Sequence, residues 1–136
     1  MEKLIYKHQK FTQSLQALER SIKIFSRTDI DSDIRESLVA SLIKHFEMCY
    51  EASWKFLKFY IEARYTEVVD SPKKVFRQCF ALGLLSEETT KELLDITEAR
   101  NGTTHDYDEE NAHEICRRVN DYFATFKKIA DLPIDF

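Results

Sequence analysis

Apolar residues recur every three or four positions along most of this chain, a spacing that places them on one face of an α-helix. The first series predicts a helix over residues 2–25. A second series, from Ile34 to Ile61, predicts a helix over residues 33–65 that is roughly 45–50 Å long at 1.5 Å per residue. Its apolar face is wide, so we expect two neighbours: its own bundle and a second copy of the chain.

Aromatic residues in the second helix leave two interpretations open. They either fill the core of one bundle or form an interface between two copies, and the sequence favours neither. The cluster consists of Tyr50, Trp54, Phe56, Phe59 and Tyr60.

Three further helices are predicted from their end signals. Pro72 suits the first position of a short helix over residues 72–82. Ser86 caps a fourth helix, which we expect to end at Asn101-Gly102 because both residues tolerate the left-handed conformation. The fifth is predicted over residues 107–131.

These elements predict an all-α fold, an antiparallel up-and-down four-helix bundle with one extra short helix, which dimerises through its long helices. The 136 residues are enough to bury one core, so residues 1–136 are treated as a single domain. Only 2 glycines and 2 prolines interrupt the chain, which favours long helices.

Composition narrows the function. The net charge of −4 gives no general nucleic-acid signature, so any contact with RNA has to be local. The 3 cysteines are dispersed, which fits buried thiols in a reducing cytoplasm better than a disulfide framework. We find no signal peptide and no apolar run long enough to span a membrane, so a cytoplasmic protein is expected.

Candidate chemistry gathers between the last two long helices, where Arg100, His105 and Tyr107 lie close in sequence. A guanidinium offers a permanent charge and a bidentate fork for phosphate. A histidine with a reference pKa of about 6.5 can exchange a proton near neutrality. Together they suit phosphodiester cleavage by a neighbouring 2′-hydroxyl without a metal, and a two-fold dimer would bring two such motifs into one cleft.

A structural interpretation stands beside this one. Arg100 would then pair with Glu47 or Glu51 of the second helix and tie two helices together. His105 would bond only to backbone in a tight turn, and Tyr107 would pack its ring on the bundle. Both interpretations stay open on the residues alone.

Metal and cofactor chemistry is not expected. His105 and His113 are eight residues apart and lack the compact spacing of a metal site. The chain also has no glycine-rich phosphate loop, so it is not itself a nucleotidyltransferase by any motif.

The pattern Arg100-Asn101-x3-His105-x-Tyr107 resembles the motif of the HEPN domain family. The likeness is closest to the nucleotidyltransferase substrate-binding proteins, which accompany minimal nucleotidyltransferases. It extends over nearly the whole chain through helix order and through three further features: Phe46-Glu47, Trp54 and Ser71-Pro72.

This resemblance implies a dimeric helical bundle that acts as the toxin of a pair, restrained by a nucleotidyltransferase antitoxin. It implies Arg100 and His105 as the active-site pair of a metal-independent ribonuclease, with Asn101 and Thr104 as neighbouring substrate contacts. It also implies Tyr107 as the residue on which the partner places AMP.

An alternative function within the same family is a non-catalytic subunit that binds nucleotide or substrate for the transferase. The charge around the motif favours this alternative, because carboxylates repel an RNA backbone unless they point away as helix caps. The acidic residues are Asp106, Asp108, Glu109 and Glu110.

Overall fold

The computed structural model describes residues 1–27, 29–103 and 109–136. This part of the chain is all-helical and contains no strand, so the predicted fold class is confirmed. The antiparallel arrangement and the dimer stay predictions. The helices are α1 (Glu2–Phe25), α2 (Ser32–Tyr65), α3 (Pro72–Ala81), α4 (Glu87–Gly102) and α5 (Glu109–Ala130).

Local signals set the starts of α2 and α4, and the cap predicted at Ser86 is confirmed. The side chain of Asp31 accepts a hydrogen bond from the amide of Asp33 at 2.9 Å and caps α2. Ser86 accepts one from the amide of Thr89 at 3.1 Å and caps α4. These caps satisfy amides that have no partner within their own helix.

The end of α4 differs from the prediction. The helix continues through Gly102, and in the described part of the chain only Thr66 and Gly83 have a positive φ. The left-handed termination expected at Asn101-Gly102 is therefore wrong. Gly102 serves a close approach instead, because a Cβ atom there would lie 2.6 Å from Nδ2 of Asn111.

Helix α2 contacts each of the other four helices, and α5 lies beside α1, α2 and α4. Residues from all five helices build one core. Burial supports the core interpretation for three members of the aromatic cluster in α2, whereas Trp54 and Phe59 are only partly buried. These three are Tyr50, Phe56 and Tyr60.

The predicted inward face of α2 is wrong at its beginning. Ile34 continues the apolar series in sequence, but it is 58% exposed. No residue of α2 before Leu42 is buried. Periodicity marks a face of a helix but does not supply the neighbour that covers it.

Contacts with the core hold both ends of the chain. His8 is a core-edge histidine whose Nε2 lies 3.0 Å from the carbonyl oxygen of Ala130. The C-terminal tail folds back, since the hydroxyl of Tyr60 donates to the carbonyl of Pro133 at 2.7 Å and its ring centroid is 5.2 Å from that of Phe136.

None of the described helices is long and apolar enough to cross a membrane.

Candidate functional site

Arg100 lies in the last turn of α4 and faces α2. Its Nη1 atom is 3.8 Å from Oε2 of Glu47, and its Nη2 atom is 3.6 Å from Oε1 of Glu51. The structure therefore brings Arg100 together with both acids named from the sequence. The two charge pairs link the end of α4 to the middle of α2.

The guanidinium of Arg100 keeps its hydrogen-bonding capacity. Both carboxylate distances exceed the usual 2.7–3.2 Å of an N–H···O hydrogen bond, and Nε is buried without a partner in the described residues. The side chain as a whole is 20% exposed. Arg100 is thus anchored by charge, while its planar set of donors can bind an anion.

Glu51 is held in place from its other side. The indole Nε1 of Trp54 donates to Oε2 of Glu51 at 3.0 Å, and Nζ of Lys55 is 4.0 Å from the same oxygen. The second oxygen, Oε1, is the one directed at Arg100. Trp54 therefore orients the carboxylate that Arg100 approaches.

The backbone that carries Arg100 is fixed by contacts on both sides. The hydroxyl of Tyr50 in α2 donates to Oγ1 of Thr97 in α4 at 2.9 Å, one turn before Arg100. Burial raises the pKa of Tyr50 above its ordinary value, so this hydroxyl stays protonated and donates.

Asn111 of α5 fixes the last turn of α4. Its Nδ2 donates to the carbonyl oxygen of Ala99 at 3.1 Å, next to the close approach at Gly102. Thr103 then donates to the carbonyl of Arg100 from both its amide and its hydroxyl, at 3.1 and 2.7 Å. The carbonyls of Ala99 and Arg100 are therefore satisfied by Asn111 and Thr103.

A groove of about 680 Å³ lies beside this helix end, between the first turns of α2 and the start of α5. Its lining is mainly apolar. The apolar lining includes Val39, Ala40, Ile43 and Ala112, and polar groups come from Arg35, Thr103 and His113. Thr103, three residues after Arg100, lines this groove, and Glu47, the partner of Arg100, is one turn beyond Ile43 on α2.

Of the remaining predicted site residues, only Asn101 lies in the described part of the chain. Asn101 is exposed at the end of α4. Thr104, His105 and Tyr107 lie outside the described residues, as do Asp106 and Asp108 of the acidic flank and the cap proposed there. Glu109 and Glu110 are exposed at the start of α5.

The described residues contain no group of three histidine, cysteine or acidic side chains that could hold a metal ion. Sequence reasoning missed Asn111, which bonds the end of α4. A signal for it was present, because Asn111 precedes Ile115 by four residues and so continues the buried face of α5.

Comparison with known proteins shows the family to which the chain belongs. Residues 6–132 match the family described as nucleotidyltransferase substrate binding protein like. No curated protein matches significantly.

Several solved structures share the fold. A protein from Thermus thermophilus has 28% sequence identity, with a TM-score of 0.72, over 85% of this chain and 94% of that one. A Haemophilus influenzae protein described as a substrate binding domain of a nucleotidyltransferase has 20% identity, with a TM-score of 0.77, over 91% and 96%. The tri-AMPylated HEPN toxin of Shewanella oneidensis, in complex with its MNT antitoxin, has 19% identity, with a TM-score of 0.75, over 95% and 94%.

Proposed function

Because the chain belongs to the nucleotidyltransferase substrate binding protein like family, we propose that it is the partner subunit of a small nucleotidyltransferase in a two-component toxin–antitoxin pair. The Shewanella and Haemophilus proteins supply the precedent for such a partner. We place the pair in the cytoplasm, where RNA and ATP are available. In this pair the chain binds RNA or nucleotide at Arg100.

The single observation that carries the proposal is the state of the Arg100 side chain. It is mostly buried at a helix end and held only by loose charge pairs, and its guanidinium makes no hydrogen bond to the described residues. A phosphate could accept two hydrogen bonds from this fork without breaking one to those residues. A purely structural arginine would be expected to donate to Glu47 or Glu51 at hydrogen-bond distance.

In the catalytic form of the proposal, the chain is a metal-independent endoribonuclease. His105 takes the proton of the 2′-hydroxyl, whose oxygen attacks the adjacent phosphorus, and the 5′-oxygen leaves with a proton from a second acid. Arg100 stabilises the charge on the non-bridging oxygens, with Asn101 and Thr104 as further contacts. A homodimer would supply the second histidine, so that one acts as base and the other as acid.

The test is RNA cleavage by the purified chain in the presence of a chelator. The wild type should cut, and Arg100→Ala and His105→Ala should lower the rate at least ~100-fold, in keeping with the loss of a positioned charge or proton carrier. Arg117→Ala is the matched control, because Arg117 is an exposed arginine paired with Glu114 on α5. An inert wild type, or a His105→Ala variant that cuts equally well, removes the catalytic form.

The charge balance at Arg100 favours a second candidate, a non-catalytic subunit that binds nucleotide or substrate. Two carboxylates, Glu47 and Glu51, face one guanidinium, and Glu109 and Glu110 are exposed nearby in sequence. This excess of negative charge opposes a long polyanion more than a single nucleotide. Calorimetry should then show nucleotide affinity that Arg100→Ala abolishes, with no turnover.

Regulation of the pair is proposed at Tyr107. The phenolic oxygen attacks the α-phosphorus of ATP, an ester to AMP forms, and pyrophosphate and the phenolic proton leave. The added phosphate brings negative charge next to the motif and opposes phosphate binding there. Intact mass after incubation with the transferase and ATP should rise by one AMP unit. The increase should disappear in Tyr107→Phe and persist in Tyr6→Phe, an exposed tyrosine on α1.

A further inference from the structure

We propose that Lys3, Lys7 and Lys58 form a second anion site, which holds phosphates of the RNA strand whose cleavage or binding is proposed at Arg100. The three ammonium groups converge on the ring of Phe59, at 4.8, 5.2 and 5.7 Å from its centroid. The two longest distances sum to 10.9 Å, which is the largest separation that any two of these charges can have. This inference rests on the proposed function in one respect, because the proposed function is what identifies the ligand as RNA.

Like charges at this spacing repel one another, and nearby acids compensate them only in part. Lys3 and Lys7 form no ion pair with a described residue, whereas Nζ of Lys58 is 2.8 Å from Oδ1 of Asp70. The lysine beside it lowers the pKa of Asp70, so this carboxylate is ionised. Lys3 and Lys7 therefore remain available to bind an anion, although the net charge of the whole chain is −4.

Exposed aromatic surface continues from this cluster along α1. Lys3, Lys7 and Lys10 are spaced by four and three residues, so they lie along one face of the helix. Nζ of Lys10 is 5.3 Å from the ring centroid of Tyr6, and Tyr6 is 52% exposed. Lysines beside an accessible aromatic ring are what single-stranded RNA requires, since phosphates bind the charges and bases stack on the ring.

The cluster also lies in line with Arg100. Glu51, Lys55 and Lys58 are spaced by four and three residues and share one face of α2. Glu51 contacts Arg100, so Lys58 is two helical turns, roughly 10 Å, further along the same face. A strand of a few nucleotides can span that distance, which makes one continuous RNA contact from Arg100 to the cluster.

The test uses a fluorescent 2′-O-methyl RNA oligonucleotide, which lacks the attacking hydroxyl and is not cleaved. Fluorescence anisotropy measures its affinity for the full chain at several salt concentrations. The triple variant Lys3→Gln, Lys7→Gln, Lys58→Gln should bind at least tenfold more weakly. The magnitude of the slope of log K against log salt should fall by about 1.4, since Lys3 and Lys7 each lose a phosphate contact that is worth roughly 0.7 for a single strand.

The matched control removes three lysines elsewhere: Lys23→Gln, Lys91→Gln, Lys128→Gln. Lys23 and Lys91 pair with Glu19 and Glu87, and Lys128 lies on the α4–α5 side. Net charge changes equally in both triples, so equal weakening would overturn the proposal, as would a wild type that does not bind at low salt. Circular dichroism melting checks that both variants fold.

Three further outcomes of these experiments would identify a different ligand or separate this proposal from the catalytic one. If inorganic phosphate at equal phosphate concentration displaces the oligonucleotide completely, the cluster takes free phosphate and the RNA assignment is wrong. If the triple variant loses affinity for the transferase but keeps its affinity for RNA, the surface docks an acidic protein and the proposal fails. If the wild type never cuts RNA but binds it through these lysines, the catalytic proposal fails and this one stands.

Discussion

The two ends of α2 carry the same apolar spacing but differ in what covers them. Towards its C-terminal end, Phe56, Leu57, Tyr60 and Ile61 are all 0% exposed. At its N-terminal end, Ile34 is 58% exposed and burial begins only at Leu42. We call these the closed end and the open end of α2.

The difference shows where the protein can accommodate a ligand. At the closed end the helix meets α1, and the folded-back tail adds the contacts of Tyr60 with Pro133 and Phe136. At the open end Phe25, the last residue of α1, packs on Arg35. The last residues of α4 and the start of α5 are the other neighbours there, and a groove separates them from α2. Arg100 stands at the boundary, since its acidic partners Glu47 and Glu51 lie between the two ends.

The largest expected effect compares one apolar residue from each end. Phe56→Ala should lower the free energy of unfolding by about 3–5 kcal/mol, because it leaves a cavity in a fully buried site. Ile34→Ala should change it by less than about 0.5 kcal/mol. Denaturant unfolding of both variants measures the contrast. A large loss for Ile34→Ala would mean that the open end is covered in solution, as by a second copy of the chain.

The next largest effect concerns Gly102, which lines the groove at the open end. Gly102→Ala places a Cβ atom 2.6 Å from Nδ2 of Asn111. We expect a cost of about 1–3 kcal/mol in unfolding free energy, because the asparagine must move and lose its bond to Ala99. In an Asn111→Ala background the same change should be stabilising by up to about 1 kcal/mol, since alanine favours the helix.

This double-mutant cycle isolates the contact between the two residues. If Gly102→Ala costs the same in both backgrounds, Asn111 is not what requires glycine at this position, and another feature of the helix end is responsible.

Arg100 at the boundary should matter more for binding than for stability. Its ion pairs are loose and partly exposed, so Arg100→Ala should change the free energy of unfolding by less than about 1 kcal/mol. Affinity for RNA or nucleotide should be lost in the same variant. Thermal unfolding and binding are measured on one preparation. A loss above about 3 kcal/mol with unchanged binding would establish the structural interpretation of this arginine.

The smallest effect is a difference in thiol reactivity between the buried core and the open end. Burial raises the pKa of Cys49 and Cys79 to about 12, so both should resist alkylation at neutral pH until the protein unfolds. Cys116 is half-buried, and the charge of Arg35 at the open end opposes the rise in its pKa. Mass spectrometry after brief alkylation should therefore find one label, on Cys116. Equal labelling of Cys49 would show that the core around the middle of α2 opens readily.

The parts of the site that could be predicted are those that depend on spacing within one helix or on an expected neighbouring helix. Arg100 could be placed on an inward face from its spacing to Leu93 and Ile96, and Glu47 and Glu51 could be named as its partners from their place on a neighbouring helix. The reason for Gly102 was predicted wrongly, because the side chain that approaches it belongs to α5. His105 and Tyr107 lie outside the described residues, so their roles stay predictions.

The sequence by itself determined the helices and the starts of α2 and α4, because the caps Asp31 and Ser86 bond to amides only two or three residues away. It also determined which face of each helix is apolar, since that depends on spacing along one chain segment. The tertiary structure alone decided which parts of those faces are covered, as Ile34 and Phe56 show. It likewise brought Lys3 and Lys7 to the ring of Phe59 and left Nε of Arg100 buried with no partner among the described residues. These outcomes depend on which helices lie side by side, and the spacing within any single helix does not contain that information.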